Sequence, residues 1–111
     1  VPEERLYPLT QDPELLAYAG GAPGRLLRAL ADLDAFRARM EKAREVDGAS
    51  SWRRFTLLKE LFADEEGVFA LYAAFRHRPR ALLALEAARE ALERYVSPDL
   101  VLARLALDLE T

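Results

Sequence analysis

The chain has 111 residues, with 16 Lys and Arg against 19 Asp and Glu, so its formal net charge is −3. With 51% apolar and 32% charged residues it has enough apolar surface to build a core, which excludes disorder by composition. The length suits one domain, or one domain plus a fragment of another. The acidic balance argues against a protein that binds nucleic acid over its whole surface.

The absence of Cys excludes disulfide scaffolds, thiolate zinc sites and thiol catalysis, and it fits a reducing cytoplasm, the location expected here. No run of about 18 apolar residues is present, so no membrane span is expected, and no secretory signal is visible. The chain begins at Val1 rather than Met, as expected of a piece of a longer protein or of a processed terminus. It has no Asn and no Ile, while Ala, Leu, Arg and Glu dominate, a composition that suits a thermophile.

Residues 1–11 carry two prolines and no clear period and read as an irregular lead-in. Asp12-Pro13-Glu14 is a strong helix start: an N-cap, a proline in the first turn and an acid at the positive end of the dipole. Leu15, Leu16 and Ala19 face inward from this short helix. Gly20 and Gly21 can take positive φ without a Cβ penalty and stop it. Pro23, with no N–H to lose, opens a second helix to about residue 31. Leu26, Leu27 and Leu30 form its apolar stripe, and Arg25 and Arg28 fall on another face.

Asp32 and Asp34 can break and recap the chain. An amphipathic run through Leu33, Phe36 and Met40 then continues to about Val46, and Asp47-Gly48 is expected to end it. Its outer face, with Arg37, Glu41 and Arg44, offers mixed-charge neighbours. Ser50 or Ser51 caps the next helix, where Trp52, Phe55, Leu58 and Phe62 step along one face as a core stripe, with Arg53 and Arg54 off it.

Asp64-Glu65-Glu66 sits at a helix start, where acids favour the dipole without needing a metal. Val68, Leu71, Tyr72 and Phe75 face inward from that helix. Arg76-His77-Arg78-Pro79-Arg80 is a basic knot at a corner, since Pro79 bars a smooth helix through it. It has neither aromatic interleaving nor a glycine cradle, and it reads as an exposed connector. From Pro79 a long helix carries Leu82, Leu85, Ala88, Leu92 and Val96 on its apolar line. Ser97-Pro98-Asp99 repeats the earlier capping pattern. The last helix, with Leu100, Val101, Leu102, Leu105, Leu107 and Leu109, is apolar on more than one face. A helix of that kind wants burial on several sides, so part of it is expected to pack on another subunit.

No alternating strand pattern appears, and about six helices with short joins predict an all-α bundle. Two stretches carry a resemblance. Gly21-Ala22-Pro23-Gly24 followed by Arg25, Leu26 and Leu27 resembles the lid-helix segment of clamp-loader proteins of the AAA+ class, most closely the delta-prime family of bacterial DNA polymerase III. Residues 87–109 resemble that family's closing helix pair, with Ser97 where Asn is frequent.

The resemblance implies that residues 1–31 end an AAA+ lid domain and residues 32–111 form a helical collar domain. It implies a subunit-interface role for Leu100, Val101, Leu102, Leu105 and Leu109. It makes Gly21, Pro23, Gly24 and Arg25 a degenerate nucleotide-sensing turn. The family's phosphate-reaching Arg would fall on Gly24, and Arg25 is one residue late, which fits a subunit that does not hydrolyse ATP.

The implied function is assembly of the clamp loader in DNA replication, without catalysis or cofactor. The implied partners are other clamp-loader subunits, with the sliding clamp and primed DNA reached only indirectly. No GxxxxGK[ST] loop is present. An enzyme would need convergent groups, and one His, no Cys and solvated carboxylates supply none. A stand-alone helical binding module, with the glycine corner as a helix–turn–helix reading DNA, is the alternative, and the acidic charge opposes it.

Overall fold

Caps and prolines set most of the helix starts in the computed structural model, which describes residues 10, 12–94 and 97–109. Seven helices follow one another: α1 (Pro13–Ala19), α2 (Pro23–Ala31), α3 (Leu33–Gly48), α4 (Ser51–Leu61), α5 (Glu65–Ala74), α6 (Pro79–Glu93) and α7 (Pro98–Asp108). No strand occurs among the described residues, so the all-α expectation holds, with seven helices where about six were expected.

Four side chains cap as the sequence suggests. Asp12 accepts from the Glu14 N–H, Asp32 from Ala35, Ser50 from Arg53 and Asp64 from Gly67. Each satisfies one of the donors that a helix start leaves without an internal partner. Two expectations fail locally. Ser97 makes no side-chain capping bond to α7, whose start rests on Pro98. Asp47-Gly48 does not end α3: the helix runs through Gly48 and stops where Ala49 turns extended, at φ −80° and ψ 157°. Val96 and most of the proposed lead-in, residues 1–9 and 11, lie outside the described residues.

The helices pack as a connected series. α3 is central and lies against α2, α4 and α5; α1 packs on α2 and α5; α7 packs on both α4 and α6. One core runs through all of them, from Leu15 and Leu16 through Phe36, Met40, Leu57, Leu71, Phe75 and Leu85 to Leu105 and Leu109. The division expected between residues 31 and 32 coincides with Asp32, and the shared core continues across it.

The inward faces of α1, α3 and α5 follow the sequence pattern, with Leu15, Leu16, Ala19, Phe36, Met40, Val68, Leu71 and Phe75 buried. In α4 the pattern misleads. Trp52 is 76% exposed, Phe55 and Phe62 are half-buried, and the buried line is Arg54, Leu57, Leu58 and Leu61. That line has the same helical spacing as the expected stripe and lies beside it on the cylinder. A charged residue can lead it because Arg54 meets backbone acceptors inside the fold.

Surface ion pairs mostly join different helices. Arg39 meets Glu66 at 2.8 Å, Lys42 meets Glu60 at 3.4 Å, and Arg44 meets Glu14. Exposed pairs like these add little individually, and they tie α3 to α5, α4 and α1.

Candidate functional site

Two places on the molecule bring together residues singled out by the sequence. The first is the corner between α1 and α2. Gly20 takes the left-handed conformation, at φ 56° and ψ 31°, and its N–H donates to the Leu16 carbonyl at 3.1 Å. Gly21 follows at φ 84°. Ala22 then closes the turn by donating to the Ala19 carbonyl at 2.9 Å, and Pro23 opens α2. Positive φ at both positions is what glycine permits and a Cβ resists.

Arg25 folds back over this corner. Its Nη1 lies 3.3 Å from the carbonyl oxygens of both Tyr18 and Ala19, and its guanidinium carbon sits 3.4 Å from the centroid of the Phe69 ring. The cation thus meets orphan carbonyls at the end of α1 and the face of an aromatic ring, both of which favour positive charge. Burial moves the Arg25 pKa below its ordinary value and moves the Tyr18 pKa above its own, the latter with a smaller push from Glu66. Gly24 has open space around it, so no close approach requires its missing side chain. The corner therefore unites Gly21, Pro23, Gly24 and Arg25, with Arg25 as its clasp.

A polar cleft of about 580 Å³ opens beside the clasp, lined in part by Tyr18, Arg25, Glu65, Tyr72, Glu86 and Arg89. The Tyr72 hydroxyl donates to Glu86 at 2.8 Å and accepts from Arg89 at 3.4 Å. Burial raises the Tyr72 pKa, and the hydrogen bond to Tyr72 raises that of Arg89. Two guanidiniums face two carboxylates here, so the cleft carries no net charge to select an anion. It supplies no paired base and nucleophile.

The basic knot is largely structural. Arg76 donates to the Ala73 carbonyl at 2.7 Å at the end of α5. Arg78 pairs with Asp47 and lies over Phe75, 5.3 Å from the ring centroid. His77 and Arg80 are exposed. Among the described residues no group of three or more His, Asp or Glu is placed to hold a metal, and no helix is long and apolar enough to cross a membrane.

The second place is α7. Of the five positions expected to face another subunit, Val101, Leu102, Leu105 and Leu109 are buried in the chain's own core, and only Leu100 is outward, at 69% exposure. Four of the five positions are therefore used within the chain itself. Because α4 and α6 flank α7, two of its faces are covered from within, and the remaining face carries Leu100, Ala103, Arg104 and Leu107. Leu107 is 56% exposed.

An apolar groove flanks this face on each side. Toward α6 a groove of about 260 Å³ is lined by Leu100 and by Ala84, Ala87 and Ala91. Toward α4 a groove of about 460 Å³ is lined by Trp52, Phe55, Ala103 and Leu107. Trp52 rests on Phe55 with ring centroids 5.9 Å apart, so the indole extends the apolar surface beyond α7. The signal for this surface in the sequence is the excess of Leu in α7 over what one buried face can use.

Comparison of the chain with models of known protein families, with curated proteins and with solved structures yields no match.

Proposed function

We propose that the chain is a helical assembly module of the clamp-loader delta-prime type, holding subunits together during DNA replication and leaving nucleotide chemistry to other regions or chains. The observation that carries the assembly reading is the outer face of α7. Leu100, Leu107 and Trp52 are 69%, 56% and 76% exposed and lie along two apolar grooves. Contiguous exposed apolar surface on a folded protein is a mark of an interaction site.

The glycine corner supports the narrower clamp-loader reading in two ways. Its Gly-Ala-Pro-Gly turn starts a helix at Pro23, as the resemblance requires. Arg25 is committed to the α1 carbonyls and the Phe69 ring, which suits a subunit with no phosphate to sense.

The test is reconstitution. The chain is mixed with the collar domains of bacterial clamp-loader subunits, and complex formation is followed by size-exclusion chromatography with light scattering. A hetero-oligomer that is lost on replacing Leu100 and Leu107 together by Glu is expected. Absence of any complex at micromolar concentrations would remove the clamp-loader reading.

A further inference from the structure

We infer that the polar cleft beside the α1–α2 corner binds a small zwitterion of the α-amino acid class, its carboxylate on Arg89 and its ammonium between Glu65 and Glu86. No residue of α7 lines this cleft, so the inference stands apart from the assembly reading.

The cleft holds two cations, Arg25 and Arg89, and two carboxylates, Glu65 and Glu86, within about 580 Å³. None of the four pairs with another; the ion pairs among the described residues join other side chains. Contacts of their own hold three of them in place. Arg25 is fixed by the α1 carbonyls and the Phe69 ring. The Tyr72 hydroxyl stands between Glu86 and Arg89, donating to the one and accepting from the other. Glu65 is exposed in the first turn of α5, where the helix dipole favours its charge. Charges of both signs are thus already separated, and a dipolar ligand meets them without rearrangement of the site. A cleft with no net charge also matches a neutral dipole better than a lone ion.

The spacing selects a short zwitterion. Glu86 and Arg89 are three residues apart on α6, so they share a face about 4.5 Å apart along the axis. That distance suits the close ammonium and carboxylate of an α-amino acid. Arg89 uses Nη1 on Tyr72, which leaves Nε and Nη2 as a two-pronged donor for a carboxylate. Burial is the main cause of the lowered Arg25 pKa, and the charges of Arg28 and Arg89 add to it. A carboxylate on Arg89 relieves that repulsion. On the other side, Glu86 accepts from Tyr72 through Oε1 and keeps Oε2, while Glu65 offers both of its oxygens to an ammonium. Ala17 and Gly20 are the small residues of the lining and leave room for the ligand's side chain.

The test is a titration of the isotopically labelled chain, followed by amide chemical shifts. L-alanine is the probe. Propionate and ethylammonium each keep one of its charges, and γ-aminobutyrate keeps both at a longer separation. L-alanine should saturate at millimolar concentration, with the largest shifts at residues 65–72 and 86–89. The three other compounds should bind about tenfold more weakly or worse, since each loses a charge-assisted contact or its alignment. Glu65→Gln and Arg89→Gln should each weaken L-alanine about tenfold while leaving helicity unchanged, and Gln at position 89 keeps a donor for Tyr72.

Ethylammonium binding as tightly as L-alanine would make the cleft a cation site, and propionate doing so would make it an anion site; either overturns the zwitterion. Tighter binding of γ-aminobutyrate would overturn the short spacing. Shifts that do not saturate, that map elsewhere on the chain, or that survive both substitutions would overturn the site itself. Each of these failures leaves the reconstitution test of α7 unaffected.

Discussion

Arg54 donates from Nη1 to the carbonyl oxygen of Ala106, 3.2 Å away and 52 residues further along the chain. The same guanidinium donates from Nε to Val46 at 2.9 Å and from Nη2 to Asp47 at 3.4 Å. All three acceptors lie in the last turns of helices, where carbonyls have no partner within the helix. One side chain, 5% exposed, thereby closes the ends of both α3 and α7. It also puts positive charge at the negative end of two helix dipoles.

Removal of this group should be among the most damaging single changes in the molecule. Arg54→Ala removes a donor from three carbonyls at helix ends and opens a void, and a loss of about 3 kcal/mol is expected. Arg54→Met restores volume without donors and should recover only part of it. Arg54→Lys supplies a single point of donation where a planar fork is used, and should fall between the two. Urea unfolding of the four proteins, compared at a common m-value, checks the order. Equal stability of the Met variant and the parent would show that the hydrogen bonds contribute nothing net.

Two helical glycines should respond oppositely to alanine. A Cβ built on Gly67 would stand 2.1 Å from the Leu61 carbonyl oxygen, a backbone atom that cannot swing aside. The start of α5 presses against the end of α4 at that point, and Gly67→Ala should cost about 1–3 kcal/mol despite alanine's better helix propensity. At Gly24 nothing lies within 4 Å of the added carbon. Gly24→Ala should stabilise the fold by about 0.5–1 kcal/mol, as expected for an open helical position. Thermal midpoints moving in opposite directions would confirm the pair; a stabilising Gly67→Ala would refute the close approach.

Stability at alkaline pH should depend on two tyrosines. Burial holds the pKa of Tyr18 and Tyr72 above the ordinary 10.0 in the folded chain. A group that keeps its proton more tightly when folded leaves stability intact below the unfolded pKa. That stability is lost as pH rises from 10 through the higher folded value, because the unfolded chain ionises first. Unfolding free energy should therefore stay level up to about pH 9 and then decline. Tyr18→Phe preserves the ring contact with Phe36, at 5.0 Å between centroids, and removes the ionisable hydroxyl. The decline should be shallower in that variant and in Tyr72→Phe. A profile identical to that of the parent would exclude any contribution from these hydroxyls.

Helix positions and most caps were legible in the sequence because local chemistry decides them. Asp12-Pro13, Gly20-Gly21-Ala22-Pro23, Asp32 and Asp64 act within a few residues of where they stand. The buried side of α1, α3 and α5 was legible in the spacing of their apolar residues. In α4 and α7 apolar residues fall on more than one side of the helix, and periodicity alone cannot choose among apolar stripes. Arg54 illustrates the cause. Its partners lie 7, 8 and 52 residues away, and no local pattern marks an arginine that will find carbonyls at two helix ends. Arg25 is similar, since the Phe69 ring that receives it belongs to α5. The candidate interface suffered the same loss: the Leu content of α7 was visible, but which leucines remain outside depends on where α4 and α6 lie.

Trp52 separates these alternatives with one optical signal. It is the sole tryptophan of the chain and is 76% exposed. A core tryptophan replaced by alanine costs about 3–5 kcal/mol, whereas a surface change away from special contacts stays within about 0.5 kcal/mol. Trp52→Ala should accordingly leave the thermal midpoint almost unchanged. In the parent, emission should be red-shifted and strongly quenched by iodide at low protein concentration. Because the indole borders the groove beside Leu107, association with a clamp-loader collar domain through α7 should blue-shift the emission and protect it from iodide as that partner is added. The Leu100→Glu and Leu107→Glu chain should keep the red-shifted, quenchable signal at every concentration of the partner. A blue-shifted, protected tryptophan in the dilute parent would return Trp52 to the core and withdraw the α4 side of the proposed contact.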